Sequence, residues 1–306
     1  MFRLHSNYYL FVLVMAATTA ALSCRRIPDP PSPDDTSLFA ACVTPGSTST
    51  LDIITFNVEG FPKAGYTSVT ALSALLKTID PDIVALQEVA SEADFNRLVK
   101  QMPGWTGIFY PINNDEWNLA YLLKNSETEL IPGTVRTLFE NDNWAFPRPP
   151  FEMIVRHKAS GRELILINLH LKCCGGSDNE NSRRSASRQL KEYIDQQRPD
   201  DAVVMMGDYN DEILSENFTE NPFLNFIENP SDFAFADMEI AKGSQLWWSY
   251  PSWPSHIDHI LVTNELFTAI DTTVVFKVSP CYPDYNEVLS DHRPLGVKIN
   301  PEGISR

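Results

Sequence analysis

The sequence predicts an α/β fold in which two packed sheets carry helices on their outer faces. Short apolar runs of strand length recur from Leu51 to Ile299, and a continuous apolar run is how a strand covered on both faces reads. Between several of them lie stretches with helical apolar spacing, such as Val69, Leu72, Leu75, Leu76 and Ile79. With 306 residues, 43% of them hydrophobic and 11% aromatic, the chain has material for one large core. No internal repeat or low-complexity tract interrupts it.

Residues 1–23 read as a signal peptide: Arg3 and His5 precede an apolar stretch from Tyr8 to Leu22, of secretory length and short for a membrane span. Ala21-Leu22-Ser23-Cys24 resembles a bacterial lipoprotein cleavage box with Cys24 as the lipidated residue; a plain cleaved signal is the alternative. Residues 24–47, with Pro28, Pro30, Pro31 and Pro33, read as a semi-extended tether, and residues 48–302 as the folded domain. The expected location is therefore outside the cytoplasm, lipid-anchored at a bacterial membrane or cell surface.

Within the domain, Leu51–Phe56 is a strand that runs into Asn57-Val58-Glu59-Gly60. Tyr66–Ile79 is a helix, and the strand Asp82–Leu86 ends in Gln87-Glu88. A helix over Ser91–Lys100 starts with a Ser cap and acids in its first turn. Asn118–Lys124 and Phe151–Arg156 are strands, and Leu164–Leu169 is a strand ending in His170. Asn181–Gln197 is a long amphipathic helix. Ala202–Met206 stops at Gly207 and delivers Asp208 and Asn210 to a strand end. Asp258-His259 opens the run Ile260-Leu261-Val262, and Ser290-Asp291-His292 precedes an alternating strand over Pro294–Ile299. Six strands thus each present Asn, Glu, Asp or His at a boundary, where α/β proteins place ligands. Singly each has a bland reading as a cap, a turn or a satisfied core histidine; the ordered set does not.

As a set, Thr55-Phe56-Asn57-Val58-Glu59-Gly60, Leu86-Gln87-Glu88-Val89, Asn168-Leu169-His170, Gly207-Asp208-Tyr209-Asn210, Ile257-Asp258-His259-Ile260 and Ser290-Asp291-His292-Arg293-Pro294 resemble the endonuclease/exonuclease/phosphatase superfamily of deoxyribonuclease-I-like fold. The resemblance spans roughly Leu51 to Ile299. It implies a four-layered α-β-β-α sandwich with two mainly antiparallel sheets and a metal-dependent phosphoric ester hydrolase.

Such hydrolysis needs neutralised phosphoryl oxygens, an oriented water and help for the leaving alkoxide. Mg²⁺, which suits oxygen donors and takes few carboxylates, is the expected ion, with Mn²⁺ or Ca²⁺ as substitutes. Glu88 is the expected main ligand, with Asn57 beside it, Asp291 completing the site or holding a second ion, and Glu59 outside it. Asp208 is expected to orient or deprotonate water, Asn210 to donate to a phosphate oxygen, Asp258 to hold His292, and His170 to flank the phosphate. Which group is the base stays open. A zinc site is the rival, disfavoured because no two of these ligands lie at short spacing. Asn118 and Arg188 are candidate substrate contacts, and Trp247, Trp248, Tyr250 and Trp253 are candidate stacking or lipid-facing aromatics.

The net charge of −16 excludes a protein that coats nucleic acid electrostatically, though not a nuclease with a cation-dependent site. The expected function is an exported phosphodiesterase, first a nuclease. A phospholipid or sphingomyelin phosphodiesterase or a small-molecule phosphatase is second, and an inactive binding module on the same fold is a third class. A monomer is expected. Export permits disulfides among Cys42, Cys173, Cys174 and Cys281. A Cys173–Cys174 bond is strained, so each is expected to join Cys42 or Cys281 if all four pair, bracing two site loops.

Overall fold

A computed structural model describes residues 30–112, 117–214 and 220–305. The expected leader, Cys24 and the start of the tether lie outside the described residues. The chain runs through β1 (Leu51–Phe61), α1 (Tyr66–Ile79), β2 (Ile83–Val89), α2 (Glu92–Gln101), β3 (Trp105–Tyr110), β4 (Asn118–Lys124), β5 (Thr128–Leu130), β6 (Arg136–Thr137) and β7 (Phe151–His157). It continues through β8 (Glu163–His170), α3 (Ser177–Gln197), β9 (Val203–Asp208), α4 (Leu224–Ile227), β10 (Phe233–Phe235), α5 (Met238–Ala241), β11 (Asp258–Thr263), β12 (Ile270–Val275), α6 (Tyr285–Val288) and β13 (Leu295–Ile299).

One sheet has the order β12-β13-β1-β2-β4-β3 and the other β10-β11-β9-β8-β7-β5, with β6 on β7. Each contains one parallel pair, β1–β2 or β8–β9, and the remaining neighbours are antiparallel. Parallel neighbours need a crossover, which α1 supplies in the first sheet and α3 in the second. The four-layered sandwich expected from the sequence is the fold observed.

Side-chain parity sorts the apolar runs into three cores. In β1, Leu51 and Ile53 enter the core between the sheets, whereas Ile54, Phe56 and Val58 pack under α1 and α2. In β9, Val204 and Met206 face the other sheet, while Val203 and Met205 meet Leu190 and Ile194 of α3. Both faces are covered, which is why these strands show no apolar–polar alternation. At one edge the inward positions turn polar: Thr55 and Asn57 in β1, Gln87 in β2, Asn168 and His170 in β8, Asp208 in β9 and Asp258 in β11, all buried.

Strand direction gathers them. The carboxyl ends of β1, β2, β8 and β9 share that edge, with His170 in register with Asp208. Because β11 runs antiparallel to β9, its first residue, Asp258, pairs with Asp208. Because β13 runs antiparallel to β1, Leu295 pairs with Thr55, which leaves the preceding Asp291-His292 segment at the same edge.

Two expectations are corrected. Part of the segment assigned to the tether docks on the domain: Phe39 and Val43 join the core against α1, Asp34 pairs with Lys77 at 2.6 Å, and Phe39 meets Tyr282 edge-on at 5.6 Å. That docking brings Cys42 to Cys281, and these two form a disulfide. Cys173 and Cys174 are left as free thiols, so no bridge braces the site loops. Helix α3 also starts one turn before the expected Asn181, capped by Gly176, and β3, β5, β6, β10 and β12 were not foreseen.

Gly207 fixes the β8–β9 register. Its φ is +150°, and a Cβ there would lie 1.9 Å from the Leu169 carbonyl oxygen. Gly207→Ala is therefore expected to destabilise the fold by about 3 kcal/mol or more, read as a lowered urea midpoint. A midpoint equal to that of the parent protein contradicts this packing.

Candidate active site

The buried polar edge surrounds a cleft of about 770 Å³ whose walls include Glu59, Glu88, His170, Asp208, Asn210, Asp291 and His292. Asn57 ties its two sides together. Its Nδ2 donates to Glu88 Oε1 in its own sheet and to Asp208 Oδ2 in the other, both at 2.9 Å. Its Oδ1 accepts from the Glu59 backbone N–H at 3.0 Å, and its carbonyl accepts from Ser290 Oγ at 2.6 Å.

Parity alone would send Glu88 into the helix-covered core, on the opposite side from Gln87. The strand breaks parity here: Glu88 has φ +60°, and the β2–β4 register shifts between Leu86 and Val89. Glu59 and Asn210 also take positive φ, at 42° and 56°. With Cys174, at 75°, four non-glycine residues in the left-handed region line one cleft and mark backbone strain held for a purpose.

His170 Nε2 lies 3.7 Å from both Glu88 Oε1 and Asp208 Oδ2. Opposite it, His292 Nδ1 is 2.7 Å from Asp258 Oδ2, and its Nε2 is 3.9 Å from Asp208 Oδ2 and from Asp291 Oδ1. Tyr285 donates to the His292 carbonyl and Ser290 Oγ accepts from the His292 N–H, so the ring is fixed at both backbone ends. The expected Asp258–His292 contact is present, and His170 reaches the same space from the other side.

The two imidazoles are electrically opposite. Burial disfavours the His292 cation, but the charge and hydrogen bond of Asp258, with the charges of Asp208 and Asp291, push it up to about 10. Burial, with the positive charges of Arg148 and His292 added, holds His170 well below the usual imidazole range. Burial and neighbouring acids push Glu88 up to about 7, against the Asn57 hydrogen bond. Asp208 is pushed up to about 6 by burial and by Asp258, opposed by His292 and Asn57.

A hard divalent cation fits this donor set. Carboxylates crowded and desolvated at one point are held above their ordinary range, and Asp291 Oδ1 is buried without a hydrogen-bond partner. Glu88 and Asp291 are the residues that would hold it. Glu59 is otherwise engaged, in an ion pair with Lys63 and with its Oε2 accepting from the Asp291 N–H at 2.7 Å. Among the described residues a second His/Asp cluster exists, Asp237 with His256 and His259, but its ring nitrogens are taken up in hydrogen bonds.

Two candidate substrate residues do not reach the cleft. Asn118 is buried, accepting from the Ile112 N–H and donating to the Val89 carbonyl, which anchors the strand just past Glu88. Arg188 sits exposed on α3, 3.7 Å from Glu192. Asn210 spends one amide hydrogen on the Leu171 carbonyl at 3.1 Å, and its N–H caps Asp208 Oδ1 at 2.8 Å.

Other residues went unassigned from sequence. Gln87 donates to Asn168 Oδ1 across the sheets at 2.7 Å and to Thr55 Oγ1 at 3.0 Å, forming a polar floor beneath the cleft. Its signal was readable, since a polar residue at an inward position among apolar ones must have a buried partner. Arg148 lines the wall from a loop, where spacing says nothing; Tyr250, one of the aromatics singled out from the sequence, leans on His292 with ring centres 4.9 Å apart.

A family model described as "Endonuclease/Exonuclease/phosphatase family" matches residues 54–292. Comparison with curated proteins finds no match. Among solved structures, humanized D. rerio TDP2 superposes with TM-score 0.62 at 19% identity, covering 83% of this chain and 100% of that one. The catalytic domain of human Nocturnin with bound sulfate anion gives TM-score 0.59 at 18% identity, covering 82% and 94%. An endonuclease/exonuclease/phosphatase from Bacteroides vulgatus gives 0.60 at 17%, covering 82% and 99%.

The opposite imidazole states are directly measurable. In the metal-free protein the His292 ring carbon signal in NMR is expected to titrate near pH 10, with His170 remaining neutral at pH 7. Asp258→Asn should bring the His292 midpoint down by roughly two units or more. A His292 midpoint near 6.5 in the parent protein contradicts the pairing.

Proposed function

The chain belongs to the Endonuclease/Exonuclease/phosphatase family, and we propose that this member is an exported, divalent-cation-dependent phosphodiesterase acting on nucleic acid. The observation that carries the reading is the pairing of a charged and a neutral imidazole across buried carboxylates at a single cleft.

A divalent cation bound by Glu88 and Asp291 would offset charge on the phosphoryl oxygens. The other roles fall to the chain itself. His292, held in orientation by Asp258, presents its Nε2–H to a phosphoryl oxygen and stabilises charge as it develops. Asp208 faces the same space and accepts a proton from the attacking water; burial, by raising its affinity for protons, suits it to that task. His170, neutral on the opposite wall, contacts the phosphoryl group. The remaining amide hydrogen of Asn210 is a further donor.

Nucleic acid is favoured by the cleft's rim. Trp117 and Trp253, 37% and 78% exposed, line the cleft together with Tyr250, and such rings stack bases of any sequence. The D. rerio TDP2 structure complexed with single strand DNA product shares the fold at 18% identity, which supports the same substrate class here. One observation favours a lipid phosphodiester instead: Leu246 and Trp247, 65% and 53% exposed, extend the apolar surface on the segment leading to Tyr250.

Hydrolysis of single-stranded DNA, RNA, sphingomyelin and phosphomonoesters with Mg²⁺ separates these readings; turnover of a nucleic acid far above the others is expected. Glu88→Gln keeps the shape and loses the charge, so turnover is expected to fall by about a hundredfold or more with the fold retained. Undiminished turnover in that variant at low Mg²⁺ overturns the site. Asp258→Asn alone should cost roughly a hundredfold, and adding His292→Ala little more, since groups acting as a unit are non-additive. Multiplicative losses would separate the two residues.

Location is tested independently. If Cys24 carries lipid, Cys24→Ser is expected to move the protein from the membrane to the soluble fraction or to block its processing. A correctly processed Cys24→Ser protein that stays with the membrane removes the anchor.

A further inference from the structure

We propose that Cys173 and Cys174 form a reversible two-electron site on the wall of the cleft, closing to a disulfide between adjacent residues and, when open, chelating thiophilic trivalent arsenicals. The four cysteines of the described domain divide into a bonded pair, Cys42–Cys281, and this free pair. A chain that carries one disulfide matures where thiol oxidation is possible, so the free pair meets the same conditions.

The geometry is unusual for neighbours in sequence, whose side chains ordinarily diverge. Here the two Sγ atoms lie 2.7 Å apart, and Cys174 has φ +75°, a left-handed conformation that turns its side chain back toward its neighbour. The turn is held from outside. Arg183, buried on α3, donates from one nitrogen to the carbonyls of Lys172 and Cys174, at 2.8 and 3.0 Å, and is fixed by Asp211 at 2.9 Å. Closing from 2.7 Å to a covalent bond of ~2.05 Å takes less than 1 Å of movement.

The two sulfurs differ in role. Cys174 is exposed, whereas Cys173 is half-buried, its thiol pushed up by burial and by its neighbour. Cys174 therefore attacks first. With a small-molecule disulfide RSSR as oxidant, the Cys174 thiolate displaces one RS⁻ and forms a mixed disulfide. Cys173 then displaces the second RS⁻, giving the closed ring. Two thiols and RSSR become one intramolecular disulfide and two RSH; the pair loses two electrons, and its two protons pass to the leaving thiolates. Strain in a ring between adjacent residues keeps such a bond easily reduced, which makes the site reversible instead of structural. Both sulfurs line the cleft with His170 and Asp208, so the closed and open states present different walls to a bound phosphoester.

The test equilibrates the full-length protein in oxidised and reduced glutathione at graded ratios, followed by alkylation and peptide mass analysis. The expected result is a peptide containing Cys173 and Cys174 that passes from two alkylated thiols to none, lighter by two hydrogens, without retained glutathione. Phenylarsine oxide should condense with both thiols, forming two As–S bonds while its oxygen leaves with the two thiol protons as water, and so protect both at one equivalent. Cys173→Ser and Cys174→Ser should each abolish the closed product, and Cys173→Ser should retain glutathione on Cys174. Stable glutathione on the parent pair, bonding between chains, or independent alkylation in the presence of phenylarsine oxide overturns the proposal. Mapping the Cys42–Cys281 peptide in the same digest separates loss of that bond from closure of this one.

Discussion

The amide of Asn57 is the interaction on which the rest of the site depends. It has two hydrogens and spends one on each sheet, so a single buried side chain holds Glu88 and Asp208 at a fixed separation. An unpaired buried carboxylate costs several kcal/mol, and two side by side cost more. The fold tolerates them because Asn57, the Asn210 N–H and the nearby His292 cation offset part of that cost. What is not offset remains as raised proton affinity at Glu88 and Asp208. Stability withheld at this point is what makes the cleft receptive to a cation.

Topology explains why these groups meet at all. Each sheet has a strand–helix–strand unit at its centre, β1-α1-β2 and β8-α3-β9, and a parallel unit delivers both carboxyl ends to one edge. Stacking the two units face to face brings Asn57, Glu88, His170 and Asp208 together without any of them lying on a long loop. The antiparallel strands β11 and β13 then bring Asp258 and His292 from the opposite chain direction. Behind this set, Asp237 accepts from His256 Nε2 and His259 Nδ1, while His259 Nε2 reaches the Asp211 carbonyl at 3.1 Å. His259 thus supports the loop after Asp208, and Asp237 is held well below the usual carboxylate range by His259 and His256 despite its burial.

The sequence made the fold class and the strand-end residues legible because both rest on short-range rules. Apolar runs of fixed length mark buried strands, and a polar residue that ends such a run has a defined place. Helix α1 has the bounds its apolar spacing predicts, and Ser91 caps α2 as expected. Three kinds of information were out of reach. Edge strands such as β3 and β12 are half-exposed and lack a clean period. Arg148 comes from a loop whose course the fold decides. The cysteine pairing depends on Phe39 docking the N-terminal segment, a long-range packing event. Arg188 was misplaced because helical spacing gives a residue's neighbours but not which face meets the cleft; Arg183, five positions earlier, is the inward one.

Whether the cleft is a cation site built on Glu88 can be read by anomalous diffraction from crystals grown with Mn²⁺. One strong peak is expected at ~2.0–2.3 Å from a Glu88 carboxylate oxygen, on the side facing Asp291, and it should be lost in Glu88→Gln. A peak at Asp237, His256 and His259 with none at Glu88, or a Glu88 peak that survives the substitution, would contradict it.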